Sequence, residues 1–248
     1  MYKILKVLLI VFLTFISFLA ILTIDAIGEN VLVDLQIKSF IEKSEYSHQV
    51  GDFFFYEVAI EEELRTPSIT YRNNGYPETT TEGDIFIYRE SEIDLVQFSG
   101  EFISFFFGGH SGIIDGDSVI EAFGVSTNPE YNIVDYDIND IFYDYSERDV
   151  LGLRVRASDE DVEKAMTFSR ESVGKYYNMS FVFNRKDSFY CTDLISRAYS
   201  KEAGLSYNLD KDGIATSCND LVLSNDTFIT YYMYYLNNER HLYYAVNK

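Results

Sequence analysis

The sequence predicts an α+β domain carried behind an N-terminal transmembrane helix. Three observations predict it. Residues 7–24 are an uninterrupted uncharged run, VLLIVFLTFISFLAILTI. Between residues 84 and 156 several short segments alternate apolar and polar side chains, the period of a half-buried strand. After Ser158, and again after Tyr190, the period becomes helical, and a Tyr-rich segment over 228–246 closes the chain. Strands, then helices, then strands argue for an antiparallel sheet packed against helices, not for a wound parallel sheet.

The apolar run covers roughly 27 Å as a helix, close to the ~30 Å hydrocarbon core of a bilayer. Lys3 and Lys6 precede it, and Asp25 and Glu29 follow it. Positive flanks stay cytoplasmic, so a single span with the remaining chain outside the cytoplasm is expected. The alternative is secretion after cleavage of a signal peptide at the small-residue site Ala26-Ile27-Gly28. Residues 29–50 carry a mixed helical pattern, read as a membrane-proximal helix. Residues 67–81, PSITYRNNGYPETTT, have the chemistry of a loop.

The 248 residues include 21 Tyr and 20 Phe, ample for a core, and this composition excludes a disordered chain. The net charge is −20, and residues 51–160 hold 24 acids against 6 bases. Such a surface repels phosphate backbones, so nucleic acid is excluded as a partner. No oligomeric state follows from composition.

Strands are expected at 84–89, 102–114, 118–124 and 149–156. A helix capped by Ser158, with Asp159, Glu160 and Asp161 in its first turn, is expected to run to about 177. A second is expected from Tyr190 to about Ala203, ended by Gly204. Asp115-Gly116 signals a hairpin between the second and third strands. With 115 and 116 as the central pair, His110 lies directly opposite Glu121, and this is the register expected. Moving the turn to 116–117 puts Glu121 opposite Gly112, with His110 its diagonal neighbour on the same face. Both registers bring imidazole and carboxylate within reach. The pair can be a structural one, or a base whose carboxylate fixes its tautomer.

Cys191 begins the second helix on its apolar face, beneath Leu194, Ile195 and Ala198. A helix N-terminus favours thiolate, whereas an apolar helix face also commonly buries an inert cysteine. A disulfide to Cys218 is a further reading in an exported chain. Spacings for a zinc site, a Gly-x-Ser-x-Gly elbow, a dinucleotide fingerprint or a phosphate loop are absent, so neither a metal nor another cofactor is implied.

The segments EGDIFIY, GGHSGII, VIEAFG, ESVGKYYN, FYCTDLISRAY and SCNDLVLSND follow one another in that order. Over roughly residues 82–225 the chain resembles the YiiX-like, circularly permuted branch of the NlpC-type papain-like cysteine hydrolases, in which the His strand precedes the Cys helix. The resemblance implies Cys191 as nucleophile, His110 as general base and Glu121 as the residue orienting it. The Cys191 backbone N–H, helped by the Tyr190 hydroxyl, would then stabilise the oxyanion. Thr192 stands where the family often has Ser, and Tyr176 where Pro is common. The implied organisation is an anchor over 1–28, a membrane-proximal helix and linker over 29–81, and a hydrolase domain over 82–248. The implied activity is hydrolysis of an amide or ester in a peptide, a cell-wall stem peptide or a lipid. The alternatives are transfer of the acyl group to an acceptor other than water, and a non-catalytic binding or structural ectodomain.

If the apolar run is a span and not a cleaved signal, the mature chain retains residues 1–24. Mass spectrometry of the membrane fraction is expected to recover them, and a mature N-terminus at Glu29 would remove the anchor.

Overall fold

The structure, a computed structural model, describes residues 2–62, 80–89, 106, 108–124, 129–138, 149–181, 185–211, 213 and 215–247. One helix, α1 (Tyr2–Ile41), opens the chain. Up to Ile21 its large apolar side chains are exposed on every side, and it is long and apolar enough to cross a membrane. From there the helix continues without a break, and Ala26, Val33, Ile37 and Phe40 are buried against the rest of the protein. Their spacing of seven, four and three residues is one stripe of a helix.

Eleven strands follow among the described residues. Nine of them form one sheet in the order β1-β2-β11-β10-β7-β3-β4-β5-β6. They are β1 (Ser44–Val50), β2 (Phe53–Ile60), β3 (Ile85–Tyr88), β4 (His110–Asp115), β5 (Ser118–Ala122), β6 (Val134–Ile138), β7 (Val150–Val155), β10 (Thr227–Leu236) and β11 (Glu239–Asn247). Within this sheet every pairing is antiparallel except β11 with β2. The short strands β8 (Tyr176–Tyr177) and β9 (Ser188–Phe189) pair separately, also in parallel. The helices α2 (Asp159–Ser172), α3 (Cys191–Ala198) and α4 (Cys218–Leu223) complete the fold. Ile85, Ile87, Ile113, Leu151 and Leu153 point to the helical face, where they meet Leu194, Ile195 and Leu221. Phe55, Phe86, Tyr231 and Met233 lie in a second buried cluster.

Several elements differ from the sequence expectation. Residues 44–60, read as membrane-proximal chain, form the hairpin β1–β2 in the same sheet as β4 and β5. Phe53, Phe55 and Val58 are buried, and the bulge between Tyr46 and His48 on the partner strand obscures a simple alternation. The loop read at 67–81 lies outside the described residues except for Thr80 and Thr81. So do residues 102–105 and 107 of the expected strand over 102–114, which begins at His110. The helix capped by Ser158 ends at Ser172, because the chain then turns through Gly174, at φ 84°, to place β8 beside β6. The helix from Tyr190 ends at Ala198, and a separate tight turn over Lys201–Ala203 leads to Gly204 in the left-handed region. The edge strand β6, VDYDI, has no counterpart among the expected strands, since its alternating acids conceal it.

The β4–β5 hairpin takes the second of the two registers. Asp115 pairs with Ser118 and Gly112 with Glu121, so the turn is centred on Gly116-Asp117 and the expectation of Asp115-Gly116 is corrected. Gly116 has φ 60° and Asp117 does not share it, the pattern of a turn with glycine in the first central position. The expected register would have forced an aspartate into the left-handed region.

One buried ion pair ties the sheet together below the hairpin. Asp84, fully buried at the start of β3, accepts from Arg154 Nε at 2.7 Å and Nη2 at 2.6 Å. It also accepts the backbone N–H of Thr81 at 2.9 Å. Removing one member leaves the other charge stranded, which typically costs about 3–5 kcal/mol. Asp84→Ala is expected to lower the urea midpoint accordingly, whereas the double change Asp84→Leu/Arg154→Met recovers most of the loss.

Candidate active site

Three elements meet at one end of the sheet. β4 supplies His110 at its first residue, β5 supplies Glu121, and α3 supplies Cys191 at its N-terminus. Because Glu121 pairs with Gly112, His110 is its diagonal neighbour, and the Phe86 ring and Val119 fill the space over Gly112 that a side chain would take. The imidazole reaches the carboxylate: His110 Nε2 and Glu121 Oε2 are 2.8 Å apart. A proton on Nε2 is donated to the carboxylate, which leaves Nδ1 as the basic nitrogen.

The backbone is shaped to allow this. Gly108 and Gly109 precede His110 with φ of 73° and 115°. A Cβ on Gly109 would lie 1.7 Å from the carbonyl oxygen of Tyr88, and one on Gly108 would lie 2.8 Å from Asn219 Oδ1. No side chain fits at either position. The Phe123 ring stands 5.9 Å from the imidazole and walls its other side.

Cys191 is 9% exposed, and its thiol is hydrogen-bonded with His110. Burial alone favours the neutral thiol. The bond and charge of His110, followed by the backbone N–H groups of Ser111 and Thr192, outweigh it and lower the Cys191 pKa. Burial likewise opposes the imidazolium, and the contacts with Cys191 and Glu121 outweigh it, raising His110 well above 6.5. The arrangement favours a thiolate–imidazolium pair. Ser111 can aim its N–H at sulfur because β4 and β5 stop pairing at Gly112.

The start of α3 is clamped from behind. Thr192 Oγ1 donates to the Thr216 carbonyl at 2.5 Å. The Tyr190 hydroxyl, the residue named beforehand for the oxyanion, is buried and hydrogen-bonded to Thr216. Asp193 makes a buried contact with Arg197 at 3.2 Å. Burial pushes its carboxyl up to about 6 against the pull of that guanidinium.

Both cysteines are free. Cys218, at the start of α4, is buried, and burial followed by the charge of Cys191 raises its pKa well above the ordinary thiol value. The disulfide reading would link it to Cys191, its neighbour here, but the two thiols are not joined. Two further neighbours were not anticipated. Asn219 abuts Gly108 and has a buried Nδ2 without a partner. Tyr177 packs its ring on Gly124. Their segments, SCND and GKYYN, stood out only as motifs.

This combination of a sheet-borne imidazole, a helix-start thiol and the strand-before-helix order defines a permuted papain-like domain. The chain belongs to the permuted papain-like amidases of the YaeF/YiiX type, the C92 peptidase family, whose model matches residues 79–212. It is similar in structure to the metalloprotein YiiX from Escherichia coli O157:H7, at 16% identity and a TM-score of 0.44, over 61% of this chain and 97% of that one. No curated protein matches the sequence. Among the described residues, no three of His, Cys, Asp and Glu cluster as a metal site requires.

The pKa directions predict a reactivity profile. Alkylation of Cys191 by iodoacetamide is expected well below the ~8.5 of a free thiol, with Cys218 silent. In Glu121→Gln the imidazolium loses its counter-charge and titrates at lower pH, so it holds the thiolate less well. The onset of alkylation should then move to higher pH. An unchanged profile would separate Glu121 from the chemistry.

Proposed function

We propose that the protein is a membrane-anchored cysteine amidase or peptidase acting outside the cytoplasm, with Cys191 as nucleophile, His110 as acid and base, and Glu121 as the residue that orients the ring. The observation that carries this reading is the hydrogen-bonded series from the Cys191 thiol through His110 to Glu121. The thiolate attacks the acyl carbon of an amide or ester, forming an S–C bond. The developing oxyanion is met by the Cys191 backbone N–H at the start of α3. His110 gives its proton to the leaving nitrogen or oxygen as that bond breaks, leaving a thioester on Cys191. Water, deprotonated by His110, then attacks the thioester and frees the acid and the thiol.

In this reading the Tyr190 hydroxyl positions the helix start through Thr216, and the oxyanion rests on backbone. The uncharged helix up to Ile24 is the anchor, and Lys3 and Lys6 orient it. The substrate is a peptide, cell-wall stem peptide or lipid. The net charge of −20 favours neutral or cationic ones.

The test is intact-mass analysis of the full-length protein in detergent after brief reaction with a p-nitrophenyl acyl ester and acid quenching. One acyl group on Cys191 is expected. Cys191→Ala should carry none, and His110→Ala should acylate roughly 10²–10⁴-fold more slowly. Loss of the adduct in buffer alone identifies a hydrolase. Loss only on adding an amine or alcohol identifies an acyltransferase, and no adduct defeats both catalytic readings.

A further inference from the structure

The anchor helix and the catalytic residues leave the fold at the same end. Strand pairing places His110, Tyr88, Val150, Met233, Leu242 and Phe55 in one row across the sheet. Among the described residues, the tips of two hairpins lie beyond that row, Gly51-Asp52 between β1 and β2 and Asn237-Asn238 between β10 and β11. At the opposite end Phe40 of α1 lines a groove with Ile60, Arg156 and Thr227. From Ile41 the helix therefore climbs alongside the strands towards the catalytic row. Asp34 Oδ1 meets Arg89 Nη1 there at 2.8 Å, one residue past Tyr88.

The lengths match. From Ile41 back to Ala26, the last buried residue, the helix rises ~22 Å at 1.5 Å per residue. From Ile60 to Phe53 the strand rises ~23 Å at about 3.3 Å per residue. The last buried residue of the helix is thus about level with the hairpin tips, and Ile24, where its uncharged segment begins, lies just beyond. Lys211 lines a groove with Asp25 and Glu29 at this exit.

The exposed apolar side chains gather at the same end. Outside α1, seven large hydrophobic side chains are exposed among the described residues. Five of them lie here. Leu236, 52% exposed, is on the tip of β10. Phe123 follows β5 beside His110. Tyr131 and Tyr176 flank the bridge between Ile133 and Tyr176 that leads into β6, and Met179 follows the Asn178 N–H bonded to the Phe189 carbonyl, close before Cys191. The other two, Tyr46 and Tyr136, lie on the two edge strands.

We infer that the catalytic end of the sheet is seated on a lipid bilayer, with Leu236 and the Tyr131–Tyr176–Met179 ridge at its interface, so that the substrate is an acyl compound carried in that membrane. The inference rests on the anchor reading above and deepens it. Tyrosine rings and isolated apolar tips are the side chains that settle at a headgroup interface. The bilayer surface is neutral or zwitterionic, because a chain with a net charge of −20 is repelled by anionic headgroups. A reacting group reaches Cys191 from the membrane side without leaving the interface, and a freely soluble peptide has no such route of entry favoured.

The chain contains no Trp, so a single introduced one reports its own surroundings. The full-length protein is reconstituted in phosphatidylcholine vesicles carrying brominated acyl chains, with Trp at Leu236→Trp, Tyr176→Trp or, at the far end of the domain, Lys43→Trp. Vesicle flotation is scored alongside quenching. Leu236→Trp and Tyr176→Trp are expected to be quenched several-fold more strongly than Lys43→Trp. Two positions guard against one variant misfolding. Protein that floats with the vesicles but shows equal quenching at all three sites, or none at the tips, overturns this inference and leaves the anchor standing. Protein that fails to float overturns the anchor reading and this inference with it.

Discussion

The site depends on the register of one hairpin. Pairing Gly112 with Glu121 sets the carboxylate diagonally across from His110, over a residue with no side chain. A slip by one residue would send Glu121 to the opposite face, because side chains alternate along a strand. The turn fixes the register through Gly116, the residue that can occupy the left-handed first position. It is reinforced from outside, since Arg170 of α2 holds Asp115 with Nε at 3.0 Å and Nη2 at 2.7 Å and also pairs with Glu82. The hydrogen bond at 2.8 Å and the charge balance at Cys191 both follow from this alignment.

The second requirement is close approach of backbone to backbone at the head of β4. Gly108 and Gly109 let the chain pass against Tyr88 on one side and Asn219 on the other, so that Ser111 emerges with its N–H free of β5. The start of α3 then enters at the point where β4 and β5 diverge. Tyr199, just past the other end of that helix, donates its hydroxyl to the Gly83 carbonyl at 2.8 Å and pins α3 to the sheet beside the buried Asp84–Arg154 pair. One helix is therefore held at both ends, by Thr216 at its start and by Gly83 at its finish, which fixes the thiol relative to the imidazole.

The sequence showed the candidate trio and most of the strands that carry it, because Cys191, His110 and Glu121 lie in segments with clear periods or turn signals. It did not show the register, since Asp-Gly is compatible with two turns that differ only in which residue takes a positive φ. Nor did it show that β1 and β2 complete the sheet. FFFYEVAI is apolar enough for a strand, but the nearest turn, Gly51-Asp52, and the bulge after Tyr46 break the pattern, and its parallel partner β11 is distant in sequence, with Phe53 paired to Arg240. Cys218 and Asn219 escaped for a related reason. Nothing local marks them as neighbours of the site, and only the packing of α4 against α1 and β10 brings them there.

That packing also joins the N-terminal helix to the candidate site. The residues matched by the family model, 79–212, end before α4, β10 and β11 and begin after α1, β1 and β2. Yet β10 and β11 separate β7 from β2 in the sheet, and α4 packs against α1, β10 and α3. The flanking segments are thus built into the core and are not appended to it. A helix that were merely a tether would let the domain tumble, and its polar and apolar faces would then be free of any fixed relation to the sheet. Here Ala26, Val33, Ile37 and Phe40 lock α1 along the strands, and Asp34 is bonded to Arg89 beside the catalytic row. The direction in which the helix leaves the domain is consequently set by the same contacts that bury α4 under Cys191, so the orientation of the site and the direction of the anchor form a single structural constraint.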